Sequence, residues 1–114
     1  MSFQISQPAE HVLVIAVGKA LDFRNAAQFK ATCQQHAGRG VRHFVLDFSE
    51  TGILDSTGLG AIFSLYRQIS PDDGQVYFAH VSRPVQVVVQ LTRTYKVFRQ
   101  FDTVAEAVRA VPAA

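Results

Sequence analysis

Short apolar runs alternate with segments of helical periodicity along this chain, and this alternation most limits the folds it can adopt. The runs VLVIAV, HFVLDF and QVYFAHV are rich in β-branched and aromatic residues, which is typical of strands. Between them, apolar residues recur every three or four positions, as on the buried side of a helix. Because a helical crossover returns the chain in the same direction, strands that alternate with helices form parallel sheets. The sequence therefore predicts an α/β fold.

The N-terminal half predicts a strand pair, a helix and a buried strand. Segments 3–6 and 11–18 are predicted to pair antiparallel across a bend at residues 7–9. The following helix can be capped by Asp22 or Asn25. Its core-facing stripe is Ala26, Phe29, Cys33 and Ala37, and it ends at Gly38 and Gly40. The next run, HFVLDF, is apolar on both faces, as in the middle of a parallel sheet.

The C-terminal half continues the alternation. After Thr57 a helix of about 13 residues is predicted from its apolar stripe. The residues of that stripe are Leu59, Ile62, Phe63, Tyr66 and Ile69. The strand QVYFAHV follows a Pro-Gly turn, Ser82 and Pro84 begin another helix, and KVFRQF is predicted as an edge strand. Thr103 and Glu106 have capping-box spacing, which indicates a terminal helix.

The 114 residues, 48% hydrophobic and 18% charged, can fill one core of ordinary size. We predict a single domain, residues 1–114, with a mostly parallel sheet of roughly four to five strands, an antiparallel N-terminal strand pair and about four helices.

Composition also argues against several classes of function. The formal charge is +2, and the basic residues are scattered from Lys19 to Arg109, which argues against a nucleic-acid partner. The longest apolar run is far shorter than the roughly 20 residues that span a membrane, and the N-terminus has no secretory pattern. Cys33 is the only cysteine, and the four histidines lack ligand spacing, so neither metal nor cofactor is expected. We expect a cytoplasmic protein that does not bind membranes.

The segment Asp55-Ser56-Thr57-Gly58 stands at the predicted start of a helix, beyond the carboxyl end of a strand, where functional groups collect in such sheets. A hydrolase nucleophile motif is incomplete, because Leu54 replaces its first glycine. A phosphate-binding loop is excluded, because Ala61 stands where its lysine would be. The acidic residues Asp47, Glu50 and Asp55 are interpreted as a solvated rim rather than a metal cluster.

Modification of Ser56 is the remaining possibility. A phosphoryl group adds about −1.5 to −2 charges, and the free N–H groups at a helix N-terminus help to hold it. The anion would then change the surface that a partner meets.

Asp55 to Gly60, read D-S-T-G-L-G between a strand and a helix, resembles the signature of the STAS domain family, specifically of the bacterial anti-sigma factor antagonists. The likeness extends over nearly the whole chain. It includes the step from Gly18 to Leu21 and Asp22, the helix at Pro84 and the ending FDTVAEAV. The resemblance implies a STAS fold and a regulatory protein.

In such antagonists, the unmodified form binds an anti-sigma factor that is also a serine/threonine kinase of the histidine-kinase-like ATPase type, and thereby frees the sigma factor. Phosphorylation of the motif serine breaks the complex, and a PP2C-type phosphatase restores it. The resemblance implies that Ser56 is the phosphoacceptor, with Thr57 as second choice, and that Asp55 orients it or engages the kinase. The implied partner-binding residues are Asp22, Asp55, Ser56, Thr57, Gly58 and Leu59.

Two other functions are alternatives for this sequence. A STAS subunit of a transport assembly would act as an adaptor without a phosphorylation cycle, but an adaptor needs no acceptor hydroxyl such as that of Ser56. An enzyme is disfavoured because no base lies near Ser56 in sequence, the nearest histidine being His43. We expect a regulator and not an enzyme.

Overall fold

The computed structural model describes residues 3–114, and its central feature is a five-stranded sheet. In order across the sheet, the strands are β1 (Gln4–Ala9), β2 (Val12–Ala16), β4 (His43–Asp47), β6 (Gln75–Ala79) and β7 (Arg99–Phe101). A separate parallel ladder joins β3 (Ala20–Leu21) to β5 (Ile53–Leu54). Within the large sheet β1 runs antiparallel to β2, and all other pairs are parallel, which confirms the predicted fold class.

Four α-helices cover the two faces of the sheet unequally. They are α1 (Ala26–Gly38), α2 (Ser56–Ile69), α3 (Arg83–Thr92) and α4 (Val104–Ala110). Buried residues of the first three helices form one core with Phe44 and Leu46 of β4, whereas Ala107 of α4 packs with Val45 and Tyr77 on the other face. Because successive strand residues point to opposite faces, a strand covered on both sides must be apolar throughout. This explains the run HFVLDF.

The predicted stripe of α1 is confirmed by burial, and that of α2 is confirmed in part, because Leu65 outside the predicted stripe is also fully buried. Phe29 and Cys33 of α1 and Ile62 of α2 have no exposed surface. Burial raises the pKa of the Cys33 thiol to about 12, so this side chain behaves as a small hydrophobe. Phe63 and Tyr66 flank the buried stripe of α2 and pack edge-on or tilted against Phe98.

Some predicted boundaries are wrong. The first hairpin turns at Glu10 and His11, because Ala9 still pairs with Val12. Pro8 therefore lies inside β1, which tolerates it because β1 is an edge strand whose register shifts between Ser6 and Ala9.

The predicted strand KVFRQF forms only in its second half. The chain first makes a 3₁₀ turn over Thr94–Lys96, after Arg93 adopts a left-handed conformation with φ of 57°. Phe98 then points into the core, where its ring lies 5.1 Å from those of Phe63 and Phe78. Its apolar character therefore reflects packing and not strand alternation.

The predicted caps of α3 and α4 are confirmed. Ser82 accepts a hydrogen bond from the N–H of Val85 at 3.4 Å, and Thr103 accepts one from Glu106 at 3.0 Å. Asn25 occupies the N-cap position of α1, but its side chain does not cap the helix. Within residues 3–114, no helix has the length and apolar character needed to cross a bilayer.

Candidate functional site at the start of helix α2

The short ladder between β3 and β5 brings two distant segments together. Leu21 pairs with Leu54, so Asp22 and Asp55 follow their strands at the same edge of the ladder. The N–H of Phe23 donates to Oδ2 of Asp55 at 3.0 Å, across 32 positions of sequence. The predicted site residues of both segments are therefore neighbours in space.

Asp55 fixes the start of α2 and ties it to the neighbouring loop. Its Oδ1 accepts a hydrogen bond from the N–H of Gly58 at 2.8 Å, which caps the helix. Its Oδ2 accepts from Phe23, and its own N–H donates to the carbonyl of Leu21 at 3.3 Å. Both carboxylate oxygens of Asp55 therefore accept hydrogen bonds from the backbone around the site.

Ser56 and Thr57 are the first two residues of α2, and both are exposed. The N–H groups of a first helical turn have no partners within the helix, and they carry the positive end of the helix dipole. A negatively charged group on either hydroxyl would therefore meet a favourable local field. An approaching protein can reach both hydroxyls.

Gly58 and Leu59 face inward. A methyl group at Gly58 would overlap the carbonyl oxygen of Leu21 and lie 2.8 Å from its carbonyl carbon. Leu59 is only 8% exposed and belongs to the main core. These two residues determine how closely α2 approaches β3, and they offer little surface to a partner.

Asp22 is buried and pairs with an arginine that sequence analysis missed. Arg24 Nη2 lies 2.6 Å from Oδ2 of Asp22, and Arg24 Nε lies 3.1 Å from the same oxygen. The N–H of Arg24 also donates to Oδ1 at 3.0 Å. Hydrogen bonding from the Arg24 side chain holds the pKa of Asp22 below its ordinary value, although burial opposes this. Opposite charges two positions apart before a helix were the only sequence sign of this pair.

Asn25 supports the same loop from inside. Its Oδ1 accepts from the N–H of Asp22 at 3.0 Å, and its Nδ2 donates to the carbonyl of Ala20 at 2.9 Å. The side chain therefore braces the loop between β3 and α1, which is why it does not cap the helix as predicted.

Two exposed apolar side chains lie in the segments that the ladder brings together. Phe23 is 74% exposed and follows Asp22, and Ile53 is 50% exposed and pairs with Ala20 in the ladder. Exposed aromatic and aliphatic side chains beside polar groups are typical of protein-binding surfaces. The sequence alone does not reveal that they project outward, because both lie in segments without clear periodicity.

A separate crevice of about 310 Å³ lies where β2 and β4 end. Its lining includes Lys19, Asn25, Asp47 and Glu50. Within residues 3–114, no three His, Cys, Asp or Glu side chains lie close enough together to hold a metal ion.

A model of the STAS domain matches residues 5–107. A Thermotoga maritima protein assigned as an anti-sigma factor antagonist is 30% identical over 105 residues, which cover 90% of this chain and 91% of that protein. The anti-sigma factor antagonist SpoIIAA in its unphosphorylated form aligns with a TM-score of 0.84 at 22% identity, over 98% of this chain and 100% of SpoIIAA. The phosphorylated form of the Bacillus cell fate determinant SpoIIAA aligns with a TM-score of 0.77 at 20% identity, over 97% and 100%. The chain therefore belongs to the STAS domain family and groups there with the anti-sigma factor antagonists.

Proposed function

We propose that this protein is a partner switch controlled by phosphorylation of Ser56. The unmodified form binds an anti-sigma factor that is also a serine kinase, and the sigma factor or other target is released. Phosphorylation abolishes this binding, and a PP2C-type phosphatase reverses it. The observation that supports the proposal is the exposed hydroxyl of Ser56 at the start of α2, together with the exposed side chains of Phe23 and Ile53 in the segments that meet there.

The switch acts through the docking surface rather than through the fold. A partner seated over the start of α2 must exclude water from Ser56, and a phosphate there would have to be desolvated as a dianion. A loss of about 2.7 kcal/mol weakens binding roughly a hundredfold. Because the Asp55 carboxylate already caps α2, the helix does not depend on the Ser56 hydroxyl for its start.

The phosphate comes from the partner. The D-S-T-G-L-G segment lacks the lysine of a phosphate-binding loop, so this chain has no nucleotide cradle of that type. Phosphorylation of the fold neighbour SpoIIAA agrees with this scheme. Thr57 is the second acceptor candidate, since it is also exposed at the helix start.

A binding titration against the candidate anti-sigma kinase tests the proposal. The proteins compared are the wild type, Ser56→Ala, Ser56→Asp and wild type phosphorylated by the kinase, with Thr57→Ala as the neighbouring control. We expect Ser56→Ala to bind without being phosphorylated, and Thr57→Ala still to be phosphorylated at Ser56. Ser56→Asp and the phosphorylated protein should bind about a hundredfold more weakly.

Equal binding by the phosphorylated and unmodified proteins would contradict the switch and favour a STAS adaptor without a phosphorylation cycle. Incorporation of phosphate from ATP without added kinase would contradict the assignment of the kinase to another chain.

A further inference from the structure

Arg24 is held in one orientation by Asp22 while most of its side chain stays open to solvent. Nε and Nη2 point towards the Asp22 carboxylate, yet the side chain of Arg24 is 63% exposed. A guanidinium has five N–H donors in a rigid plane, and the edge that binds a carboxylate uses two of them. Donors on the opposite edge remain available for a second anion.

A backbone contact brings the segment of Arg24 close to the start of α2. Phe23 touches Asp55 through the 3.0 Å hydrogen bond, and Arg24 and Ser56 are the next residues in each segment. The charge of Asp55 also helps to raise the pKa of Arg24, after the larger effects of Asp22. The long arginine side chain can therefore reach a phosphate on Ser56.

We propose that Asp22 and Arg24 form a preorganised arm that binds the phosphate of phosphorylated Ser56. Asp22 positions the guanidinium through one edge, and the other edge donates hydrogen bonds to the phosphate oxygens. This inference rests on the proposed function, in which Ser56 carries the phosphate.

The charges around Ser56 support a role for Arg24 in binding the phosphate. Without a cation nearby, the carboxylates of Asp22 and Asp55 would repel a dianion at Ser56. Arg24 offsets this repulsion, and arginine binds phosphate through charge-assisted, paired hydrogen bonds. The phosphorylated state is then stabilised by the protein's own side chains, before any partner is present.

The test uses phosphoserine incorporated at position 56 during translation, so that no kinase is needed. The second pKa of the phosphate is measured by phosphorus NMR in otherwise wild-type protein and in Arg24→Gln, Arg24→Lys and Arg39→Gln variants. Arg39 is an exposed arginine just beyond the other end of α1, so its substitution removes the same charge at a distance.

We expect the phosphate pKa to rise by roughly half a unit in Arg24→Gln, and the difference to shrink at about 1 M salt. The phosphate pKa in Arg39→Gln should match that of the wild type. The phosphate pKa in Arg24→Lys should lie between those of the wild type and Arg24→Gln, because lysine keeps the charge but loses the paired geometry.

Arg24→Gln leaves the buried carboxylate of Asp22 without its partner and can lower stability. The double variant Asp22→Asn with Arg24→Gln removes both charges and should be well folded, and its phosphate pKa should lie between those of the wild type and Arg24→Gln, because loss of the Asp22 carboxylate also removes a repulsion. An unchanged phosphate pKa in both variants would overturn the inference. Failure of a candidate kinase to modify Ser56 would instead contradict the proposed function and leave this result intact.

Discussion

At the scale of single residues, Gly58 shows how one missing side chain positions the site. The start of α2 lies so close to β3 that a methyl group at Gly58 would overlap the backbone of Leu21. Gly60 lies in the same helix two residues later, and nothing stands within 4 Å of the place where its methyl group would be. The two glycines therefore differ in role despite sharing one motif.

Gly58→Ala should destabilise the protein by about 1–3 kcal/mol, because the added methyl group forces α2 away from β3. Gly60→Ala is the matched control and should stabilise by about 0.5–1 kcal/mol, because alanine is the better residue in an exposed helix interior. Chemical denaturation of the two variants measures both effects. Equal stability of the two variants would contradict the close approach of α2 and β3.

Residue patterns predicted part of the candidate site. The placement of Asp55 and Ser56 at a helix start followed from the sequence, since capping chemistry is local. The pairing of Asp22 with Arg24 did not follow from the sequence, because it depends on how the loop between β3 and α1 folds. The exposure of Phe23 was equally hidden, since an isolated aromatic residue in a loop carries no periodicity.

At the scale of elements, α2 links the site to the core. Its first turn carries Ser56, whereas Ile62 and Leu65 are fully buried against the sheet and neighbouring helices. The helix was predictable because apolar residues repeat over several of its turns, although Leu65 is not among the predicted stripe residues. The ladder between β3 and β5 was not, because two-residue strands are too short to show alternation.

Ile62→Ala should destabilise the protein by about 2–5 kcal/mol, through lost burial and the cavity left behind. Gln68→Ala, at an exposed position of the same helix, should change stability by less than about 0.5 kcal/mol. Thermal and denaturant unfolding give both values. A loss at Ile62 no larger than that at Gln68 would be inconsistent with the observed helical phase.

At the scale of the whole molecule, the site follows the carboxyl ends of β2 and β4 along the chain, whereas a buried histidine lies at the amino end of β4. The alternation of strands and helices predicted a mostly parallel sheet with an antiparallel N-terminal pair, since helical crossovers favour parallel strands. That alternation could not predict the surroundings of His43. This residue begins β4, is 7% exposed and shares a 2.8 Å hydrogen bond with the hydroxyl of Tyr77. The ring of His11 packs edge-on at 5.9 Å.

Burial, and secondarily the charge of His11, holds the pKa of His43 below its ordinary 6.5. The unfolded chain therefore binds a proton at this residue more readily than the folded one. Stability should fall as the pH drops below about 6.5 and continue to fall until the pH passes the folded pKa. Unfolding free energies between about pH 8 and 5 measure this slope. His43→Gln should flatten it, and an unchanged slope in that variant would assign the effect to other groups.

Phosphorylation of Ser56 should leave the sheet unchanged. We expect amide NMR shifts to change mainly in residues 21–25 and 53–60, which the short ladder and its hydrogen bonds bring together. Phosphorylated and unmodified protein provide the comparison. Changes spread over β4 and β6 would instead indicate a conformational switch.

The ladder between β3 and β5 also has a kinetic consequence. The N–H of Asp55 is bonded to Leu21 and that of Phe23 to Asp55, so neither amide can exchange its hydrogen with solvent unless the two segments separate. Local opening of such a unit is cooperative, and amides released by one opening share one opening free energy. Deuterium should therefore enter Phe23 and Asp55 at matched, slow rates, although they lie 32 positions apart in sequence. The loop before α1 and the start of α2 would then fluctuate together as one unit.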